Sequence, residues 1–251
     1  MVDINNNSEV SAISESCQIL SDTLDLVERH ISPGQSVMEL DKIAENYIIS
    51  CNARPAFKGY NGFPATLTVS IDDEIVHGIP KDMFLEEGQI ISIDCGVIKN
   101  DFYSDSARTL PVGRISRDKQ KLLDVTREAL TKGIDQAVVG NFVGDIGYAV
   151  QSHAEKHGFS VVRELVGHGI GTELHEEPQI PNFGEEKQGR QLEAGMCIAI
   201  EPMINAGEKE VYTASDGWTI FTRDGKDSAH FEHTIAITDN GPMILSKASN
   251  G

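Results

Sequence analysis

Apolar residues recur at steps of three and four along residues 8–30, at Val10, Ile13, Cys17, Leu20, Leu24 and Val27. That spacing follows the helical period and predicts an amphipathic helix. Ser36 followed by Glu39 reads as a capping box, opening a second helix with Leu40, Ile43, Tyr47 and Ile48 turned inward. The pattern then changes. Between residues 55 and 110, Gly, Pro and aromatic residues punctuate strand-like runs at 65–71, 89–98 and 101–108. Helical spacing returns at 117–139 and 145–157, the latter closed by Gly158. Beyond residue 160 the runs are again strand-like, at 160–165, 196–200, 210–213, 218–222 and 230–237. The order helices, strands, helices, strands predicts an α+β protein.

Two of these segments are copies of each other. Residues 86–94, EEGQIISID, align with residues 193–201, EAGMCIAIE, 107 positions later. Each has a glycine turn, an apolar strand and a carboxylate at the same step. The repeat predicts two similar halves within one domain, running from residue 10 to 251 after a flexible segment 1–9. Asp94 and Glu201 are each expected to close a strand, and a carboxylate closing a buried strand is costly unless something cationic meets it. Asp94 and Glu201 at matching positions therefore predict half-sites facing one cation site.

Parity extends the argument. If Asn100 and Asp101 form a two-residue hairpin turn, Lys99 pairs with Phe102 and Asp94 falls opposite Ala107. Asp105 then lies on the same face, diagonal to Asp94. Glu232 lies on the last strand-like run. Four clustered carboxylates repel one another, and two divalent cations would cancel their charge. Oxygen-rich ligation with one imidazole suits Mn, Fe(II), Co or Zn. Such a pair of ions polarises a carbonyl and generates a nucleophile from water. Any one of these acids alone reads equally as a surface side chain or a strand-end ion pair.

Composition narrows the setting. The 251 residues are 39% hydrophobic and 24% charged, as in ordinary globular proteins. No apolar run is long enough to span a membrane, and the first residues lack the pattern of a signal peptide. Cys17, Cys51, Cys95 and Cys197 form no CxxC pair and read as buried thiols, which fits the cytoplasm. A formal charge of −18 disfavours DNA and anionic lipid. The exception is Arg114, Arg117, Lys119 and Lys121, readable as an RNA-docking cluster or as the solvated start of a helix.

His168 stands between glycines in GHGIG, His175 opens HEEP, and His77 precedes Gly78 in EIVHGIP. Alone, each reads as structural or functional. There is neither a P-loop nor a GxSxG elbow, and position 179 is glutamine, which excludes a zincin helix.

Taken in order, DEIVHGIP at 73–80, SID at 92–94, DSAR at 105–108, GHGIG at 167–171, HEEP at 175–178, IEPM at 200–203 and FEHT at 231–234 resemble the type I methionine aminopeptidases, short bacterial form. The resemblance covers residues 10–247. It implies a pita-bread fold, two pseudo-symmetric halves whose antiparallel sheet is covered by helices. It also implies a monomeric cytoplasmic metalloaminopeptidase that removes the initiator methionine from nascent chains, prefers a small second residue, and makes transient contact with the ribosome. By the same likeness Asp94, Asp105, His168, Glu201 and Glu232 hold two divalent ions, with Asp105 and Glu232 bridging. Glu201 doubles as the proton shuttle, while His77 and His175 contact the scissile peptide. Phe57, Tyr60, Phe63, Thr68, Leu174 and Trp218 match the methionine pocket. Thr68 stands where cysteine is common. Gly96 stands where some members carry a hydroxyl, so a contact to Asp94 is expected to be missing. Rivals are a proline-specific peptidase, a non-catalytic relative of the same fold, and a two-metal phosphoesterase.

Overall fold

A computed structural model describes residues 4–247. Four helices carry the apolar stripes: α1 Asn7–Glu28, α2 Val37–Ser50, α3 Arg117–Asp135 and α4 Val143–Lys156. The strands of the first half are β1 Arg54–Pro55, β2 Leu67–Ile71, β3 Glu74–Val76, β4 Ile90–Lys99 and β5 Phe102–Pro111. Those of the second half are β6 Ser160–Val161, β7 Gly167–Gly169, β8 Glu176–Ile180, β9 Cys197–Ile200 and β10 Met203–Asn205, then β11 Val211–Thr213, β12 Ile220–Thr222, β13 Ser228–His230, β14 His233–Thr238 and β15 Gly241–Ile244.

Residues 7–9 of the segment expected to be flexible form the first turn of α1, and residues 1–3 lie outside the described residues. The capping box sits here. The Asn6 side chain accepts from the N–H groups of Ser8 and Glu9, and Glu9 accepts from Asn6 N–H at 2.7 Å. The box expected at Ser36 does not form. Backbone from a neighbouring segment satisfies that helix start instead: Val37 N–H donates to Met83 O at 3.0 Å, and Ser36 bridges Phe84.

All strand pairings are antiparallel. β4 pairs with β5 along one edge and with β1 and β2 along the other. α1 and α2 bury Leu20, Leu24, Leu40 and Ile48 against Leu67, Ile91 and Ile93 of this sheet. In the second half the order is β15-β14-β9-β7-β8, with α3 and α4 packing Leu122, Ile146 and Val150 against Ile198, Ile200 and Ile235. Burial of this size, at roughly 25 cal/mol per Å² of apolar surface, is the main stabilising contribution.

The duplication is realised in the backbone. Gly88 and Gly195 turn with φ of 91° and 93°, a left-handed conformation that suits glycine. Gly88 N–H donates to Val112 O and Gly195 N–H to Ile237 O; in return Val112 N–H donates to Gln89 O and Ile237 N–H to Met196 O. One expectation is corrected. Asp94 does not close its strand, because β4 continues to Lys99, whereas Glu201 directly follows β9. The run expected at 230–237 is also two strands, broken at Phe231 and Glu232. His230 pairs with Met203 and His233 with Ile200, so one register continues across the break.

β5 joins the halves. Two of its side chains donate to the backbone around that break, Thr109 Oγ1 to His230 O at 2.8 Å and Ser106 Oγ to Glu232 O at 2.6 Å, and Thr234 Oγ1 of β14 donates in return to Asp105 O at 2.7 Å. Two of the four basic side chains are engaged internally, and Arg114 and Arg117 are exposed. Lys119 meets Asp72, Asp227 and Gly88 O, while Lys121 donates to His157 O at 3.0 Å and lies over the Phe159 ring. Ser116 caps α3 by accepting from Lys119 N–H, so the helix-start reading describes this segment.

Candidate metal centre and substrate pocket

Lys99 pairs with Phe102, Asp94 with Ala107 and Gly96 with Asp105. Asn100 and Asp101, at φ 52° and 63°, form the two-residue turn that the parity argument required. The pleat therefore puts Asp94 and Asp105 on one face. His168 is carried by β7, Glu201 follows β9, and Glu232 occupies the break before β14.

One ligand atom each from Asp105, His168 and Glu232 lie within 4.8 Å of one another. His168 Nε2 is 3.9 Å from Asp105 Oδ2 and 3.5 Å from Glu201 Oε1. His168 Nδ1 lies 2.9 Å from Gly169 O. A carbonyl only accepts, so Nδ1 carries the proton and Nε2 presents a lone pair to the carboxylates.

Burial pushes the Asp94 carboxyl up to about 7, although hydrogen bonds from Cys95 N–H and Thr68 act in the other direction. Burial and then the charges of Glu232 and Asp94 drive Asp105 well above the carboxylate range. Glu201 and Glu232 rise for the same reasons. Asp94 Oδ1, Asp105 Oδ1 and Glu232 Oε1 are buried without a hydrogen-bond partner. Buried unsatisfied oxygens with mutual repulsion fit a donor set for hard or borderline divalent cations.

The candidate ligands, His77, His175 and the pocket residues named from sequence all line one cavity of about 280 Å³. Phe63 meets Trp218 edge-to-face at 5.1 Å, and Phe57 and Leu174 are buried beside them. Thr68 pairs with Asp94 across β2 and β4, so the two side chains share one face. A Cβ on Gly96 would stand 2.7 Å from Phe57 and 2.8 Å from Ala56, so a hydroxyl residue has no room there. His175 stands at the rim, its Nδ1 2.8 Å from the Tyr60 hydroxyl, and its ring packs against His168 at 4.4 Å. His77 adopts φ 59°, and burial lowers its imidazole to about 4, keeping it neutral.

The cavity is also lined by Asn61, Val76, Leu165, Val166 and Met203, none of which was singled out as a candidate site residue. His230 was missed as well. It is 2% exposed, and its Nε2 is 3.8 Å from Glu201 Oε2. Its alternation with Glu232 was the available clue.

Residues 11–239 match the model of metallopeptidase family M24. The methionine aminopeptidase of Clostridium perfringens is 48% identical over 246 residues, covering 98% of this chain and 99% of that protein. Methionine aminopeptidase 1 of Bacillus subtilis is 50% identical over 239 residues, 95% and 96% of the two chains. The chain belongs to family M24, among its methionine aminopeptidases. The crystal structure of the Rickettsia prowazekii methionine aminopeptidase superposes on this M24 enzyme with a TM-score of 0.97 at 40% identity, covering 98% of this chain and 100% of that one. The prolidase of Pyrococcus furiosus shares the fold, with a TM-score of 0.79 at 24% identity over 97% of this chain and 65% of its own. The pita-bread fold of the family is thus the architecture described above. Among the described residues no helix is long and apolar enough to cross a membrane.

Proposed function

We propose that this M24 enzyme removes N-terminal methionine from nascent chains, with Asp94, Asp105, His168, Glu201 and Glu232 holding two divalent ions, Mn, Fe(II), Co or Zn. The observation that carries the reading is the junction of an apolar pocket with a buried carboxylate–imidazole cluster in one cavity. Bound there, the ions would offset the carboxylate charge, acidify a water and polarise the scissile carbonyl.

The remaining steps belong to the chain. Phe57, Phe63, Leu174 and Trp218 receive the methionine side chain, whose flexible thioether packs well on aromatic rings. Glu201 takes the proton of the attacking water and passes it to the departing amine. His77 and His175 donate hydrogen bonds to the oxygen on which charge develops. Tyr60 holds the His175 ring by its Nδ1, leaving Nε2 for the substrate. Residues 10–251 act as one catalytic domain, monomeric and cytoplasmic, meeting the nascent chain in transient contact with the ribosome.

A metal-titrated assay tests this. Met-Ala peptides should be cleaved at rates that follow metal loading. Norleucine, which keeps the length, should follow, while leucine and valine at the first position should be poor, although apolar pockets discriminate by only about 1–3 kcal/mol per methylene. Equal cleavage of Pro-Ala peptides, or turnover of an aryl phosphate instead, would overturn the assignment.

A further inference from the structure

His230 is buried, and neither ring nitrogen has a hydrogen-bond partner. An imidazole carries an N–H on at least one ring nitrogen, so a donor here has lost water and gained no partner. A buried donor left in that state is costly. The acceptor beside it is Glu201 Oε2, 3.8 Å from Nε2. The other oxygen of the same carboxylate, Oε1, faces His168 Nε2 at 3.5 Å. The two oxygens of Glu201 are thus divided between two imidazoles of different kind. His168 presents a lone pair, fixed by its bond to Gly169 O, and His230 has a hydrogen to give.

The internal duplication singles out the same residue. Asp94 is paired with Ala107, and Asp105 lies two residues further back on the same face. In the second half, the register that pairs Ile200 with His233 and Met203 with His230 sets Glu201 across from Glu232. His230 then lies two residues before Glu232, as Asp105 lies two before Ala107. The place that holds a carboxylate beside Asp94 holds an imidazole beside Glu201. A fifth carboxylate there would add a negative charge; a neutral donor fixes Glu201 without adding one.

We infer that His230 is a positioning residue, donating Nε2–H to Glu201 Oε2 so that Oε1 is held toward the metal and the attacking water. The inference rests on the reading of Glu201 as ligand and proton carrier. The His230 backbone is itself anchored to β5, because Thr109 Oγ1 bonds to both His230 O and His230 N–H, at 2.8 and 2.7 Å.

Two substitutions separate the donor from the ring. His230→Gln keeps an N–H at similar reach, and His230→Phe keeps a buried ring without one. Mn²⁺ affinity is measured by titration calorimetry on substrate-free protein, and kcat and KM on a Met-Ala peptide. Loss of a hydrogen-bond partner to a ligating side chain typically costs on the order of 10- to 100-fold in affinity or activity. The Phe variant should show that loss in Mn²⁺ affinity or kcat with KM little changed, and the Gln variant should return to within a few-fold of wild type. If Phe prevents folding, His230→Leu carries the same comparison. Wild-type affinity and kcat in the Phe variant would overturn the inference, as would Gln behaving like Phe. So would a change confined to which second residue is accepted, because that would place the ring against substrate. If wild-type protein failed to cleave Met-Ala, the proposed function would fall, yet the Mn²⁺ comparison would still decide whether His230 positions Glu201.

Discussion

Glu201 shares its two oxygens between His168 and His230 while its own carboxyl is driven up by burial and by Asp105 and Asp94. Glutamine at this position is nearly isosteric but takes no proton. Glu201→Gln should retain much of the metal and lose on the order of 10²–10⁴ in kcat, measured at verified metal loading; near-normal turnover would remove the shuttle role. The cluster also sets the stability of metal-free protein. Asp94 is raised to about 7, so its contribution is present at acid pH and lost as pH rises through that value. Buried His168 and His230, lowered to about 4 and about 3, contribute in the opposite sense, losing stability as pH falls below the ordinary histidine value of 6.5. The two trends oppose each other under acid conditions, and above that value only the carboxylates act. The unfolding midpoint of metal-free protein should therefore fall between about pH 6.5 and 8, and Mn²⁺ should flatten the slope. A midpoint that climbs over this range would mean that the carboxylates are not buried as described.

At the scale of elements, the β4–β5 hairpin was legible because a side-chain period of two and a two-residue turn leave one register. Asp94 and Asp105 follow from that alone. The α1 stripe was legible for the same kind of reason, whereas the start of α2 was not. Ser36 has the right chemistry, but backbone from Met83 reaches Val37 first. Short strands such as β7 and β10 were missed because three residues are too few to show a period. The β3 edge carries another constraint. A Cβ on Gly78 would lie 2.0 Å from Val69 O, while Gly78 O accepts from Val69 N–H at 2.8 Å. Gly78→Ala should push this segment off β2, at about 1–3 kcal/mol, the usual range for overpacking. It should also displace neighbouring His77, so the urea midpoint and kcat should fall together. A stable variant with intact kcat would show that the segment shifts without cost.

For the whole molecule, the two halves meet at a centre of like charge, so cation binding and the docking of the halves are linked. Saturating metal at about 100 times its dissociation constant should add about 2.7 kcal/mol, read as a rise in melting temperature that depends on metal concentration. A melting temperature unchanged by metal after verified stripping would mean that the ions bind folded and unfolded chains alike.

The sequence by itself determined the elements with long periodic patterns, the duplication, and the residue types of the centre, because each is written in local spacing. It also carried the ordered motifs that mark the family. Only the tertiary structure decided which groups converge. Asp105 approaches His168 and Glu232 because Ser106, Thr109 and Thr234 bond one half to the other across more than 120 positions of chain. His230 comes beside Glu201 by continuation of a strand register through a break. Contacts of this kind depend on how two sheets pack, and no local pattern of hydrophobic and polar residues encodes that.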